Sequence, residues 1–213
     1  MITIYHLAVS QSDRIVWLME ELNLPYRLEW YDRGEDGLAP EAYKKLHPVG
    51  TAPIIKDGNV VLSESAAIVE YISQRHGKGA LSVEVDDPDY PAYLYWMQFN
   101  NNVQTAFFVK RALDTHSNGN ANAPMQTIMQ RREDAHFNYL NEQLGKVPFI
   151  AGSRFSCADI MAAFNLTTLP LFGGRTIDDL PNVQSYIERI QQRPAYIKAM
   201  KIAGPEAKNT AKN

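Results

Sequence analysis

Every strand-like pattern in this 213-residue chain lies before residue 77, and beyond residue 89 the apolar residues recur only at helical steps. That asymmetry divides the chain into two domains of different class, an α/β segment followed by an all-helical one. Residues 2–7, ITIYHL, are β-branched and aromatic, and Ile15, Leu18, Met19 and Leu22 then recur at helical spacing until Asn23 and Pro25 stop the pattern. YRLEWY at 26–31 alternates like a second strand, so the opening reads as a β-α-β unit with parallel strands and a right-handed crossover. A short helix is expected around 41–46. APIIKDGNVVLSES gives two short strands joined at Asp57-Gly58, a strong hairpin signal. Ala67, Ile68, Tyr71 and Ile72 form one face of the next helix, which Gly77 and Gly79 close.

The turn-forming, acidic stretch GKGALSVEVDDPD marks the boundary, giving a domain over residues 1–76, a linker over 77–88 and a helical domain over 89–213. Helical patterns over 91–115 and 125–144 flank HSNGNANAP, a loop by composition. RFSCADIMAAFNL starts a helix with Ser156 as N-cap, Asp159 at the third position, and Phe155 with Ile160 placed as a hydrophobic staple. The last helix is expected from Val183 to Arg193, with Pro194 breaking it and a polar, disordered tail behind.

A formal charge of -3 gives no electrostatic reason to expect nucleic acid or an anionic membrane as partner. Cys157 is the only cysteine, which rules out an intrachain disulfide and a multi-cysteine zinc site. No apolar run of about 18 residues occurs and the start MITIYHL lacks a basic leader, so a cytoplasmic location is expected. His6, His47, His76, His116 and His136 show no paired ligand spacing and no Gly-rich phosphate loop appears, so neither a metal nor a nucleotide cofactor is expected.

The stretch YHLAVSQSDRIVWLMEEL raises a chemical question. Ser10 stands three residues before Asp13, the spacing of a capping box, and on this stretch alone capping is the favoured reading. The alternative is that Ser10 stands beside an anion held at the positive end of the helix.

The order of elements, with PVGTAPIIKDGNVVLSESAAIVEYI at 48–72, FSCADI in the helical half and Ser10 four residues before Arg14, resembles the glutathione transferase family over nearly the whole chain. It is most similar to the cytosolic serine-type members of the theta, delta and bacterial beta classes. The resemblance implies a thioredoxin-like N-terminal domain, an all-α C-terminal domain, and glutathione as co-substrate. It makes Ser10 the catalytic residue, donating its hydroxyl to the glutathione sulfur. Pro53 becomes the family's cis-proline, presenting the Ala52 backbone to the cysteinyl part of glutathione. Ser65 and Glu64 become the partners of the γ-glutamyl end, and Gln98 a residue reaching the neighbouring subunit's ligand in a homodimer. Thr51 stands where many members carry a basic residue, which adds no charge to the site. Asp13 near a thiolate raises the thiol's pKa unless Arg14 pairs with it. Phe107 and Phe108 are candidates to line a pocket for a small apolar electrophile, against the commoner reading of aromatics at this spacing as core. The implied activity is conjugation or another use of the glutathione thiolate, in the role of detoxification. The alternatives are a glutathione-dependent disulfide reductase or peroxidase on the same scaffold, a non-catalytic glutathione- or ligand-binding protein, and a purely structural module.

Overall fold

The β-branched N-terminus forms β1 (Ile2–Leu7), and α1 (Asp13–Glu21) leads to β2 (Tyr26–Tyr31), which lies parallel to β1 with Ile2 opposite Tyr26 and Leu7 opposite Tyr31. These elements are seen in a computed structural model that describes residues 1–116 and 123–209. After the single turn of α2 (Glu41–Lys44), β3 (Ile54–Asp57) and β4 (Val60–Ser63) make a hairpin. Gly58 supplies the positive φ of 58° that a two-residue hairpin turn demands. β3 runs antiparallel to β1, so the sheet has the order β2-β1-β3-β4 and is mixed. α3 (Ser65–Arg75) follows β4 after one residue. Ile2, Ile4 and His6 alternate onto the buried face of β1, while Thr3 and Tyr5 are half-buried.

The rest is helical, which with the sheet gives the thioredoxin-like plus all-α class. The expected helix over 91–115 is two helices, α4 (Tyr90–Met97) and α5 (Phe99–His116), and they are followed by α6 (Ala123–Leu144), α7 (Cys157–Thr167), a 3-10 turn at Leu169–Phe172 and α8 (Pro181–Gln191). Residues 117–122 of the expected loop and the last four residues of the expected disordered tail lie outside the described residues. Cys157 to Leu166 are all buried, so α7 runs through the interior of the helical unit.

Pro194 does not end the helical region. It opens α9 (Pro194–Ala203), because proline is well suited to a first helical turn, where its missing N–H has no partner to lose. α9 packs on α1: Tyr196 meets Trp17 edge-on at 4.9 Å, and Arg193 grips the Glu21 carboxylate with two bonds of 2.6 and 2.7 Å. Lys198 reaches Glu20 at 2.6 Å. The chain accordingly forms two compact units, residues 1–83 with 189–213, and residues 84–188.

Candidate functional site

The topology gathers the candidate residues of the first unit at one end of the sheet. β1 ends there, antiparallel β3 begins there, and β4 ends there, so the loop after Leu7, the Ala52-Pro53 step and the Glu64-Ser65 step emerge together. Hydrogen bonds tie these segments. Ser63 Oγ donates to Pro53 O at 3.2 Å, and Ser65 Oγ donates to Gln11 Oε1 at 3.4 Å. The Ala52–Pro53 peptide is cis. Thr51 is exposed, Ala52 half-buried and Pro53 buried. Glu64 is exposed and holds φ at 77°, a conformation that costs a side-chain-bearing residue about 1–3 kcal/mol. Ser65, the first residue of α3, is buried.

Ser10 and Ser12 do not do what the capping pattern suggests. α1 begins at Asp13 with Ser12 at the N-cap position, but Ser12 has helical dihedrals and its side chain makes no cap bond. Both hydroxyls turn back towards β1. Ser10 Oγ donates to Leu7 O at 2.7 Å and lies 2.8 Å from Ser12 Oγ. Ser12 Oγ accepts the Leu7 N–H at 3.2 Å and lies 2.8 Å from His6 Nδ1. The backbone explains the turn. Val9 sits at φ 49°, and the Arg33 guanidinium donates to Ala8 O at 2.9 Å and Val9 O at 3.0 Å, so the loop is held open before the helix starts.

The electrostatics are set by burial. His6 is fully buried beside the Trp30 ring, 4.4 Å away, and desolvation lowers its pKa from 6.5 to about 4, leaving the imidazole neutral near pH 7. Burial raises the Asp13 carboxyl well above the usual carboxylate range, and the adjacent Arg14 guanidinium opposes that rise. The like charge expected beside Ser10 is therefore weakened.

Sequence reasoning passed over Arg33 and weighed His6 only as a metal ligand. His6 carried a usable signal: in a strand whose buried face is Ile2, Ile4, His6, a histidine at the third position must find a polar partner. Arg33 carried none, because it acts on backbone carbonyls 24 and 25 residues away in sequence.

Gln98 belongs to the other unit, where it is the exposed C-cap of α4 and its Oε1 accepts from Asn101 Nδ2 at 3.5 Å. Three consecutive asparagines open α5 after Phe99: Asn100 is buried, Asn101 exposed and Asn102 half-buried. Gln104 Nε2 bonds Asn100 Oδ1 at 3.2 Å and Asn165 Oδ1 at 3.3 Å, so this polar ladder lies inside the helical unit. Phe107 is buried, whereas Phe108 is 59% exposed.

Comparison with known proteins agrees with this architecture. Residues 10–75 match the glutathione S-transferase N-terminal domain and residues 94–194 the glutathione S-transferase C-terminal domain. Glutathione S-transferase 3 of Schizosaccharomyces pombe is 30% identical over 211 residues, covering 92% of this chain and 85% of its own. A glutathione S-transferase structure from Actinobacillus pleuropneumoniae superposes with a TM-score of 0.86 at 30% identity, covering 97% of this chain and 95% of that one. A theta class glutathione S-transferase from Xanthomonas axonopodis pv. citri, solved with glutathione bound, shares the fold with a TM-score of 0.70 at 22% identity, covering 95% and 98% of the two chains. Sequence, fold and both domain matches thus agree that the chain belongs to the glutathione transferase family.

Proposed function

We propose that this glutathione transferase is serine-type: Ser10 donates its hydroxyl to the sulfur of bound glutathione, and the thiolate attacks a small apolar electrophile. One observation carries the reading. The Ser10 hydroxyl caps none of the N–H groups within α1; it accepts the Ser12 N–H at 3.3 Å and donates to Leu7 O, beside Gln11, which Ser65 of the neighbouring helix start reaches. The remaining roles follow from donor chemistry. Ala52 offers backbone N–H and C=O to the cysteinyl part beside the cis-Pro53. Ser65, with its hydroxyl and N–H at the start of α3, takes the γ-glutamyl carboxylate, and Glu64 its amino group. Thr51 adds a neutral hydroxyl, and Gln98 serves the partner's ligand in a homodimer. Phe108, being exposed, is available to the electrophile. The protein works in the cytoplasm, in detoxification, without a metal, nucleic acid or membrane partner.

The energetics suit this assignment. A free thiol of this kind titrates near pKa 8.5, and each unit of lowering needs about 1.4 kcal/mol. A hydrogen bond to the thiolate supplies about 1.5–3 kcal/mol and the end of a helix about 0.3–1 kcal/mol. Together they lower the thiol by roughly two units. The thiol proton leaves to solvent, the sulfur lone pair forms the new bond to carbon, and the leaving group departs with its electron pair.

The test is glutathione binding by calorimetry together with the thiolate ultraviolet absorbance against pH, in the native protein and Ser10→Ala. A bound thiol that titrates below the free value only when Ser10 is present is the expected result. Tight binding with a thiol indifferent to Ser10 overturns it in favour of a glutathione-binding protein. Absence of binding removes glutathione chemistry altogether. A monomer in sedimentation at micromolar concentration overturns the dimer and the role of Gln98.

A further inference from the structure

His6, Ser12 and Ser10 form a buried chain from the inner face of β1 to the proposed sulfur site, with 2.8 Å from His6 Nδ1 to Ser12 Oγ and 2.8 Å from Ser12 Oγ to Ser10 Oγ. Each hydroxyl has one proton, so the direction of the whole chain depends on which nitrogen of His6 carries hydrogen. With the proton on Nδ1, Ser12 Oγ accepts from His6 and from the Leu7 N–H at 3.2 Å, and its own proton goes to Ser10 Oγ at 2.8 Å in preference to Leu7 O at 3.3 Å. The Ser10 proton is then left on Leu7 O at 2.7 Å, from where rotation about one bond takes it to a ligand sulfur. With the proton on Nε2, Ser12 donates to His6 instead, Ser10 Oγ keeps only the longer Ser12 N–H at 3.3 Å as donor, and its own proton is drawn back towards Ser12 Oγ.

The surroundings favour the first arrangement. Nε2 is buried and has no hydrogen-bond partner among the described residues. A buried N–H left without an acceptor is rarer and more costly than a bare lone pair, so the proton belongs on Nδ1, where an acceptor waits. The neutral state of His6 matches a fixed donor and not a group that exchanges protons during turnover.

We propose that His6 is a positioning residue: through Nδ1–H it orients Ser12, and through Ser12 it leaves the Ser10 hydroxyl free to donate outward to sulfur. This rests on Ser10 being the sulfur's donor. A hydroxyl that accepts a hydrogen bond is a better donor, by about a tenth to a third of the bond's strength, so the chain also strengthens the contact it directs.

Two measurements test it. In protein labelled with nitrogen-15 histidine, the imidazole shifts of His6 report the tautomer: Nδ1–H is expected, and Nε2–H overturns the proposal. Secondly, the thiol pKa of bound glutathione is compared among native protein, His6→Phe, His6→Asn and Ser10→Ala. His6→Phe is expected to raise it by about half a unit, while His6→Asn, whose amide nitrogen stands near the Nδ1 position, recovers most of the native value. In the Ser10→Ala background, His6→Phe adds nothing. If Ser10→Ala raises the thiol pKa but folded His6→Phe leaves it native, the role of His6 is overturned while that of Ser10 stands. If Ser10→Ala itself has no effect, the underlying reading falls and this proposal with it. Should His6→Phe not fold, Ser12→Ala is measured in its place, with the same rise expected and an unchanged value overturning the chain.

Discussion

The chain writes Ser-x-x-Asp twice before a helix, as Ser10 to Asp13 and as Ser156 to Asp159, and folds the two in different ways. At α7, Ser156 is extended, with φ -144° and ψ 175°, and the reciprocal box closes: its Oγ accepts the Ala158 N–H while Asp159 Oδ2 accepts the Ser156 N–H at 2.8 Å. At α1 the helix begins later in the motif, at the aspartate, and both serines face the strand. The serine, the aspartate and their spacing are the same, and the difference lies in what precedes them. A left-handed Val9 pinned by Arg33 turns the first serine out of capping geometry, whereas Phe155 leads Ser156 directly into it. A capping pattern therefore states an opportunity, and the backbone before it decides whether the hydroxyl serves the helix or stays available for chemistry.

Breaking the structural half of this pair has the largest expected effect. Asp159→Ala should cost about 3–5 kcal/mol in denaturant unfolding, because it removes the acceptor of the buried N–H groups of Ile150 and Ser156 and of the Tyr186 hydroxyl. Next comes the acid sensitivity of the α1 region. His6 has a folded pKa of about 4 against 6.5 unfolded, so the unfolded chain binds the extra proton between those values. Its contribution is fully present above pH 6.5 and is lost as the pH falls through about 4, by roughly 3 kcal/mol in all. Unfolding free energies of native protein and His6→Asn between pH 4 and 7 check this, since the difference between the two curves should carry that slope; parallel curves would refute it.

Ser10→Ala should lower kcat/KM for glutathione conjugation about 10- to 100-fold while changing stability by less than about 1 kcal/mol. Ser156→Ala should do the reverse, costing about 1 kcal/mol of stability with kcat/KM of the folded enzyme unchanged. If both serines moved stability alone, the two motifs would be equivalent after all and the contrast would be false.

The sequence carried the β-α-β unit, the Asp57-Gly58 hairpin and the α7 capping box because each rests on local pattern: alternation, a turn dipeptide, a four-residue spacing. It did not carry α9, since proline reads equally as the end of one helix and the first turn of another, and only packing on Trp17 distinguishes them. At the candidate site, Ser10, Ala52, Pro53, Glu64 and Ser65 were named through the resemblance to the family, since on its own stretch Ser10 reads as a helix cap. The partners that aim Ser10 were not. Arg33 reaches backbone carbonyls that any residues would present, and His6 was weighed only as a metal ligand although its place among the inward residues of β1 called for a polar partner. The break between α4 and α5 at Gln98 was equally invisible, for nothing there resembles a helix stop.

The packing of α9 on α1 has a consequence for how the molecule is made. The ribosome delivers the sheet and α1 first, yet the surface that covers α1 is encoded after the whole helical unit over 84–188. At about 5–20 residues per second the nascent α/β segment waits several seconds with Trp17 uncovered and Glu20 and Glu21 without their arginine and lysine. Expression of residues 1–83 alone would fix that waiting state permanently, so the α/β half is not a separable module: its last structural element is translated only after the whole helical unit.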